Sequence, residues 1–147
     1  MNILFVCTGN TCRSAMAAVL MNKIAMENNL DIRIDSAGIF ADEGQRASEN
    51  AVLAAAQMGA DLSGHTAKQI TMELINASDI ILTMTKAHKQ MLSGAAKDKV
   101  YTLTEYAHKD GDITDPYGGD LDEYRECARQ IYDALLQIKE RIAGNKS

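Results

Sequence analysis

The chain has 147 residues, 46% of them hydrophobic and 24% charged, with a net charge of −5. That length suits one domain with a sizeable core, no apolar run approaches the ~18 residues of a membrane span, and no Lys/Arg cluster is available to follow a nucleic-acid backbone. Neither a membrane nor a nucleic acid is therefore expected as a partner.

Residues 2–7 form a near-continuous apolar run, the pattern of a strand covered on both faces. Met1-Asn2 enters it directly, without a basic flank or cleavage site, so no signal peptide is expected. From Ser14 to about residue 28, Met16, Val19, Leu20, Ile24 and Ala25 recur at helical spacing. Residues 32–38 alternate and close on Gly38, predicting a second strand, and 39–47 read as a loop. Ser48 is placed to cap a helix over 49–58, with Gly59 ending it. Residues 61–69 hold the turn signal Ser63-Gly64-His65 and are expected to be irregular. Thr71 can cap a short helix to Asn76; a third strand follows over 79–84, a short helix over 86–92 and a fourth strand over 99–103.

A polar loop from His108 to Gly119 carries the chain's only proline. Asp120 and Glu123 then have capping-box spacing, ahead of a last helix on Leu121, Tyr124, Ala128, Ile131, Leu135, Ile138 and Ile142, with Gly144 as its stop. Strands alternating with helices predict a single-domain α/β fold over 1–147: an open, doubly wound, four-stranded parallel sheet with helices on both faces. Ligands of such sheets sit at the carboxyl ends of the strands.

Cys7-Thr8-Gly9-Asn10-Thr11-Cys12-Arg13-Ser14 stands at such an end, between the first strand and the first helix. A tight loop there aims backbone N–H groups at one point, where an anion can sit. Five residues between Cys7 and Arg13 suffice to wrap a tetrahedral oxyanion, and Arg13 adds a planar pair of donors. The helix N-terminus and Arg13 are expected to let Cys7 ionise more readily than the roughly 8.5 of a free cysteine. Gly9 and Asn10 both tolerate a left-handed backbone, Asn10 can also brace the loop, and Ser14 can donate to the Cys7 sulfur.

On these residues the sequence resembles the low-molecular-weight protein tyrosine phosphatases. The nucleophile loop matches Cys7 to Ser14, Ser36-Ala37-Gly38 follows the second strand, His65-Thr66-Ala67-Lys68-Gln69 matches a His-x-Ala-x-Gln segment, and Asp115-Pro116-Tyr117 matches the late acid loop. The resemblance spans essentially the whole chain and implies a flavodoxin-like sheet and a two-step hydrolysis that uses no metal or cofactor. It implies Cys7 as nucleophile, Arg13 as transition-state stabiliser, Asp115 as general acid and base, and Thr8, Gly9, Asn10, Thr11, Cys12, Arg13 and Ser14 as the phosphate cradle. Pro116 keeps Asp115 out of the α region, which suits a fixed turn. Ala15 and Ala18 stand where the family often has proline and glutamate, and Ile39 where it often has threonine, none in a chemical role.

Thr11, where typical tyrosine phosphatases carry an aliphatic residue, and the aromatic-Gly-Gly end of the acid loop resemble the protein arginine phosphatases, so phosphoarginine on proteins is the favoured substrate, with Thr11 and Tyr117 setting specificity. Phosphotyrosine is the alternative. Arsenate reduction is disfavoured because no cysteines follow the third strand, and a non-catalytic phosphate or redox sensor because it would not need Asp115. The resemblance also implies a reversible Cys7–Cys12 disulfide under oxidation, with thiol reductants as partners; a Cys12 thiol packed under the loop stays open for the resting protein. Cys127, beside the apolar stripe of the last helix, is expected to be a core or boundary thiol. His65, His88 and His108 lack ligand spacing, so a zinc site is not expected. Three cysteines, an odd number, make no secreted framework, and a cytoplasmic location is expected.

Overall fold

The structure, a computed structural model, describes residues 1–96 and 98–144. Four parallel strands, β1 (Asn2–Cys7), β2 (Arg33–Gly38), β3 (Ile80–Thr83) and β4 (Val100–Thr102), lie in the order β2-β1-β3-β4. The chain leaves β1 toward β2, then crosses back to place β3 on the other side of β1. That reversal opens a crevice at the carboxyl end of β1. Cys7, paired with Gly38, is the last residue of that strand.

The period of two along β1 divides the core. Ile3, Phe5 and Cys7 face one way, against α1 (Arg13–Glu27), α2 (Glu49–Gln57) and α6 (Leu121–Gly144). Leu4 and Val6 face the other, against Ile75 of α3 (Met72–Ala77) and Leu92 and Ala96 of α4 (Lys86–Ala96). Both faces are covered, so the strand reads as one apolar run. Each large side chain buried in this way contributes about 1.5–3 kcal/mol.

Most expected boundaries agree with the structure to within one or two residues. Ser48 and Thr71 accept the Ala51 and Leu74 N–H groups as side-chain caps, and Gly59 ends its helix at φ +84. Asp120 accepts the Glu123 N–H at 3.0 Å and so supplies its half of a capping box. Two elements differ. Helix α4 runs on past residue 92 through Ser93-Gly94, because Leu92 and Ala96 share a stripe buried against Ile81 and Val100. Strand β4 stops at Thr102, which caps a single turn, α5 (Leu103–Tyr106). Thr102 Oγ1 accepts the Glu105 N–H at 3.0 Å and the Glu105 carboxylate accepts the Thr102 N–H at 2.9 Å, a full capping box. Helix α6 continues through Gly144, so the stop expected there falls at the edge of the described residues. Its last turn is pinned by Arg141, stacked 3.7 Å over the Tyr106 ring. Among the described residues no helix is long and apolar enough to cross a membrane.

Candidate active site

The loop from Cys7 to Ser14 is shaped by where its carbonyls go. Cys7 O accepts from Ile39 N–H (3.0 Å), Thr8 O from Phe40 N–H (2.9 Å), Thr11 O from Ser48 N–H (3.0 Å) and Cys12 O from Met16 N–H (2.8 Å). Asn10 O is 2.7 Å from His65 Nε2. These partners all lie outside the loop. In a planar trans peptide the next N–H points opposite to the carbonyl, and no cis bond interrupts the described chain. The N–H groups of Thr8, Gly9, Thr11, Cys12 and Arg13 are thereby turned to the concave side, an anion-binding nest at the start of α1.

Gly9 was one of two residues expected to tolerate a left-handed backbone; the residue that adopts it is Asn10, at φ 57. A buried asparagine can hold that conformation because its amide is bonded at both ends. Lys68 N–H can only donate, so the atom 3.0 Å from it is Oδ1, which turns Nδ2 to Ser14 Oγ at 2.8 Å. Ser14 Oγ in turn lies 2.9 Å from Cys7 Sγ, and Asn10 N–H donates to the same sulfur at 3.3 Å. With Nδ2 on one Oγ lone pair, the Ser14 hydrogen has two acceptors, Cys7 Sγ at 2.9 Å and the more distant Ala37 O at 3.5 Å, and the nearer sulfur receives it. Two donors thus converge on Cys7, as a sulfur anion requires.

The glycine of Ser36-Ala37-Gly38 has a steric reason. A Cβ on Gly38 would sit 2.6 Å from Thr8 O and 3.0 Å from Asn10 N, so only glycine lets the end of β2 support the loop. Two histidines complete the brace. A carbonyl only accepts, so His65 Nε2 carries a hydrogen toward Asn10 O. His88, in the first turn of α4, places Nε2 2.9 Å from Thr8 Oγ1. Burial, then the Arg13 charge, lowers the His88 pKa below the ordinary histidine value, with Asp112 and Asp115 opposing.

Arg13 is buried, and its three nitrogens have separate situations. Nη1 donates to Ile113 O at 3.0 Å, Nη2 lies 3.6 Å from Asp115 Oδ2, and Nε has no partner among the described residues. The Nε–Nη2 edge therefore faces the loop's concave side, ready for two oxygens of one anion. The loop carrying Asp115 is anchored by Ile113 N–H on Met84 O at 3.0 Å, by Lys86 N–H on Asp112 at 3.0 Å and by the Cys127 thiol toward Thr114 O at 3.6 Å. Asp115 Oδ1 accepts the Tyr117 N–H at 3.0 Å, and a turn closes from Gly119 N–H to Pro116 O at 2.8 Å around Gly118 at φ 80. Asp115 itself stays half-exposed.

Cys7, Thr8, Gly9, Thr11, Cys12, Arg13, Gln45, Asp115 and Tyr117 line one cleft of about 330 Å3. Every sequence-predicted site residue except Asn10 and Ser14 lines it, and those two are buried behind Cys7. Tyr117 stands exposed on the rim, with exposed Phe40 next along the chain from Ile39, which pairs with Cys7. Cys12 is a free, buried thiol whose pKa burial pushes up to about 11. Cys127, buried in the core cluster, is pushed up to about 12 for the same reason. His88, Gln45 and Ile113 carried no local signal: Gln45 comes from the segment after β2, His88 from α4 and Ile113 from beyond α5, and only the assembled sheet brings them to the loop.

The family model of the low molecular weight phosphotyrosine protein phosphatases matches residues 2–147. The chain belongs to that family. It is 39% identical to the protein-arginine-phosphatase of Bacillus subtilis (strain 168) over 150 residues, covering 99% of each chain. It is 42% identical to the low molecular weight protein-tyrosine-phosphatase PtpB of Staphylococcus haemolyticus (strain JCSC1435) over 142 residues, covering 95% of this chain and 98% of that one. A solved structure of the YwlE arginine phosphatase, a mutant with a phosphorylated active-site serine, matches with TM-score 0.94 at 38% identity, covering 97% of this chain and 96% of that one. Family membership makes the chain a phosphoprotein phosphatase, with an arginine-directed relative at 39% identity and a tyrosine-directed one at 42%.

Gly38→Ala is expected to push Thr8 and Asn10 out of register and lower kcat at least about tenfold, or ~1.4 kcal/mol in the barrier; steady-state kinetics on a phosphorylated substrate measures it. Because folded His88 resists protonation while the unfolded side chain titrates near 6.5, its contribution is fully present above that pH and is lost as pH falls below it. Melting curves from pH 8 to 5 should therefore show a smaller acid loss in His88→Gln than in the unaltered protein.

Proposed function

We propose that the protein hydrolyses phosphoarginine on proteins through a cysteinyl-phosphate. The observation that carries the substrate choice is the pairing of Thr11 and Asp115 on one cleft: a hydroxyl that takes part in none of the loop's hydrogen bonds, and a half-exposed carboxylate. A phosphoguanidinium presents several N–H donors beyond phosphorus, and this pair offers them acceptors. A phenol leaving group would find only the Thr11 methyl group at position 11, where an aliphatic side chain would offer more apolar surface.

In the first step the Cys7 sulfur anion attacks phosphorus, forming S–P as the P–N bond breaks. Asp115 gives its proton to the departing nitrogen, and the peptide leaves with an unmodified arginine. The inward N–H groups and the Nε–Nη2 edge of Arg13 hold the equatorial oxygens where charge is spread in the transition state. In the second step water attacks phosphorus, Asp115 takes its proton, and S–P breaks. The sulfur leaves as an anion, received by the Ser14 hydroxyl and the Asn10 N–H, and inorganic phosphate is released. Both steps use the same groups in reversed roles.

Cys12, five residues after Cys7, is buried in the same core cluster. A two-electron oxidant such as a peroxide, reduced to water as the two thiols give up their protons and electrons to form a disulfide, would disable the nucleophile until a thiol reductant restored it.

The test is a side-by-side assay on one peptide carrying phosphoarginine or phosphotyrosine. Phosphoarginine should be released faster. Cys7→Ser should abolish turnover on both, and Asp115→Asn should lower kcat by about 10²–10⁴. Thr11→Ile should move the preference toward phosphotyrosine. Equal or reversed preference in the unaltered protein would overturn the arginine assignment and leave the tyrosine one.

A further inference from the structure

His88 is a buried titratable group beside the cleft that the reaction above does not employ. It is 6% exposed, its backbone N–H donates to Thr85 Oγ1 at 3.2 Å, and its Nε2 lies 2.9 Å from Thr8 Oγ1. Its Nδ1 is buried with no partner among the described residues. A neutral imidazole has one N–H and one bare nitrogen, so two arrangements exist. With the hydrogen on Nδ1, a buried donor would be orphaned, and Thr8 would spend its only hydrogen on Nε2. With the hydrogen on Nε2, the donor is satisfied by Thr8 Oγ1, and the atom left over is a bare acceptor. Buried orphaned N–H groups are the rarer defect.

The second arrangement has a consequence at the cleft. Thr8 follows Cys7 directly, is exposed, and lines the cleft. If Nε2–H occupies one lone pair of Thr8 Oγ1, the Thr8 hydrogen is free to turn toward the cleft that Thr8 lines. We propose that His88 is a positioning residue that holds Thr8 Oγ1 as an acceptor and so commits the Thr8 hydroxyl as a side-chain donor to a phosphoryl oxygen, beyond the backbone ring and Arg13. The inference takes from the proposed function only that the cleft receives a tetrahedral oxyanion. His88 touches no reacting atom, and its effect passes through Thr8.

Two measurements test it on the full chain. Long-range nitrogen–proton NMR of the imidazole reads the tautomer directly, with the His88 signals assigned by their absence in His88→Gln. The Nε2–H form is expected; the Nδ1–H form overturns the proposal. Titration with inorganic phosphate, followed by the loop amide shifts, reads oxyanion affinity without turnover. Thr8→Val and His88→Leu should each weaken phosphate binding by about tenfold, as loss of a hydrogen bond to a charged group does. The double variant should be no weaker than either. His88→Gln, whose amide nitrogen stands three bonds from Cβ as Nε2 does, should recover most of what His88→Leu loses. Phosphate affinity unchanged in Thr8→Val, or His88→Gln as weak as His88→Leu with Thr8→Val unaffected, shows that the histidine merely packs α4 against the loop. Because phosphate binding is read apart from turnover, a protein inactive on both phosphopeptides would overturn the proposed function and leave this assignment to be judged on its own result.

Discussion

Five of the six peptide planes between Cys7 and Arg13 turn their carbonyls away from one point, and the other features of the site follow from what holds them there. A carbonyl left facing the cleft would repel the anion the amides attract, and a buried carbonyl without a donor is costly. Ile39, Phe40 and Ser48 supply backbone N–H groups from the segment after β2, His65 supplies an imidazole N–H, and α1 supplies its own first bond from Met16. The loop is thus bound on its convex side, and its concave side is organised before substrate arrives. Such preorganisation is where electrostatic catalysis draws its strength.

That constraint explains residues with no chemistry of their own. Gly38 has no Cβ because β2 must come against Thr8 and Asn10. Asn10 pays a left-handed backbone, and its amide ties Lys68 to Ser14 and so links the irregular 61–69 segment to the nucleophile. Arg13 divides its guanidinium, one nitrogen fixing the acid loop through Ile113 and the other edge left for the oxyanion. Nucleophile and acid therefore share one support.

Much of this was legible in the sequence, and for identifiable reasons. The near-continuous apolar run of residues 2–7 has the pattern of a strand buried on both faces, and the stripe of α6 that of a long amphipathic helix. The cradle was legible because its residues are contiguous, and Asp115 because Pro116 marked its turn. What stayed hidden depends on contacts far apart in the chain. His88 reads as an ordinary helix residue until β3 is placed beside β1, and only then does its ring meet Thr8. The α5 turn was legible in Thr102-Leu103-Thr104-Glu105, yet the apolar residues around it favoured extending the strand. The choice of Asn10 over Gly9 for the left-handed position was beyond local pattern, since Lys68 and Ser14 decide it.

The central claim is that the oxyanion held by this loop becomes bonded to Cys7. Rapid acid quench of Asp115→Asn during turnover of a phosphoarginine peptide, followed by peptide mapping on the mass spectrometer, tests it directly. Phosphate bound to the chain is expected on Cys7 alone, at no more than one per chain. Phosphate found on another residue, or released phosphate with no covalent adduct at any time, would contradict it.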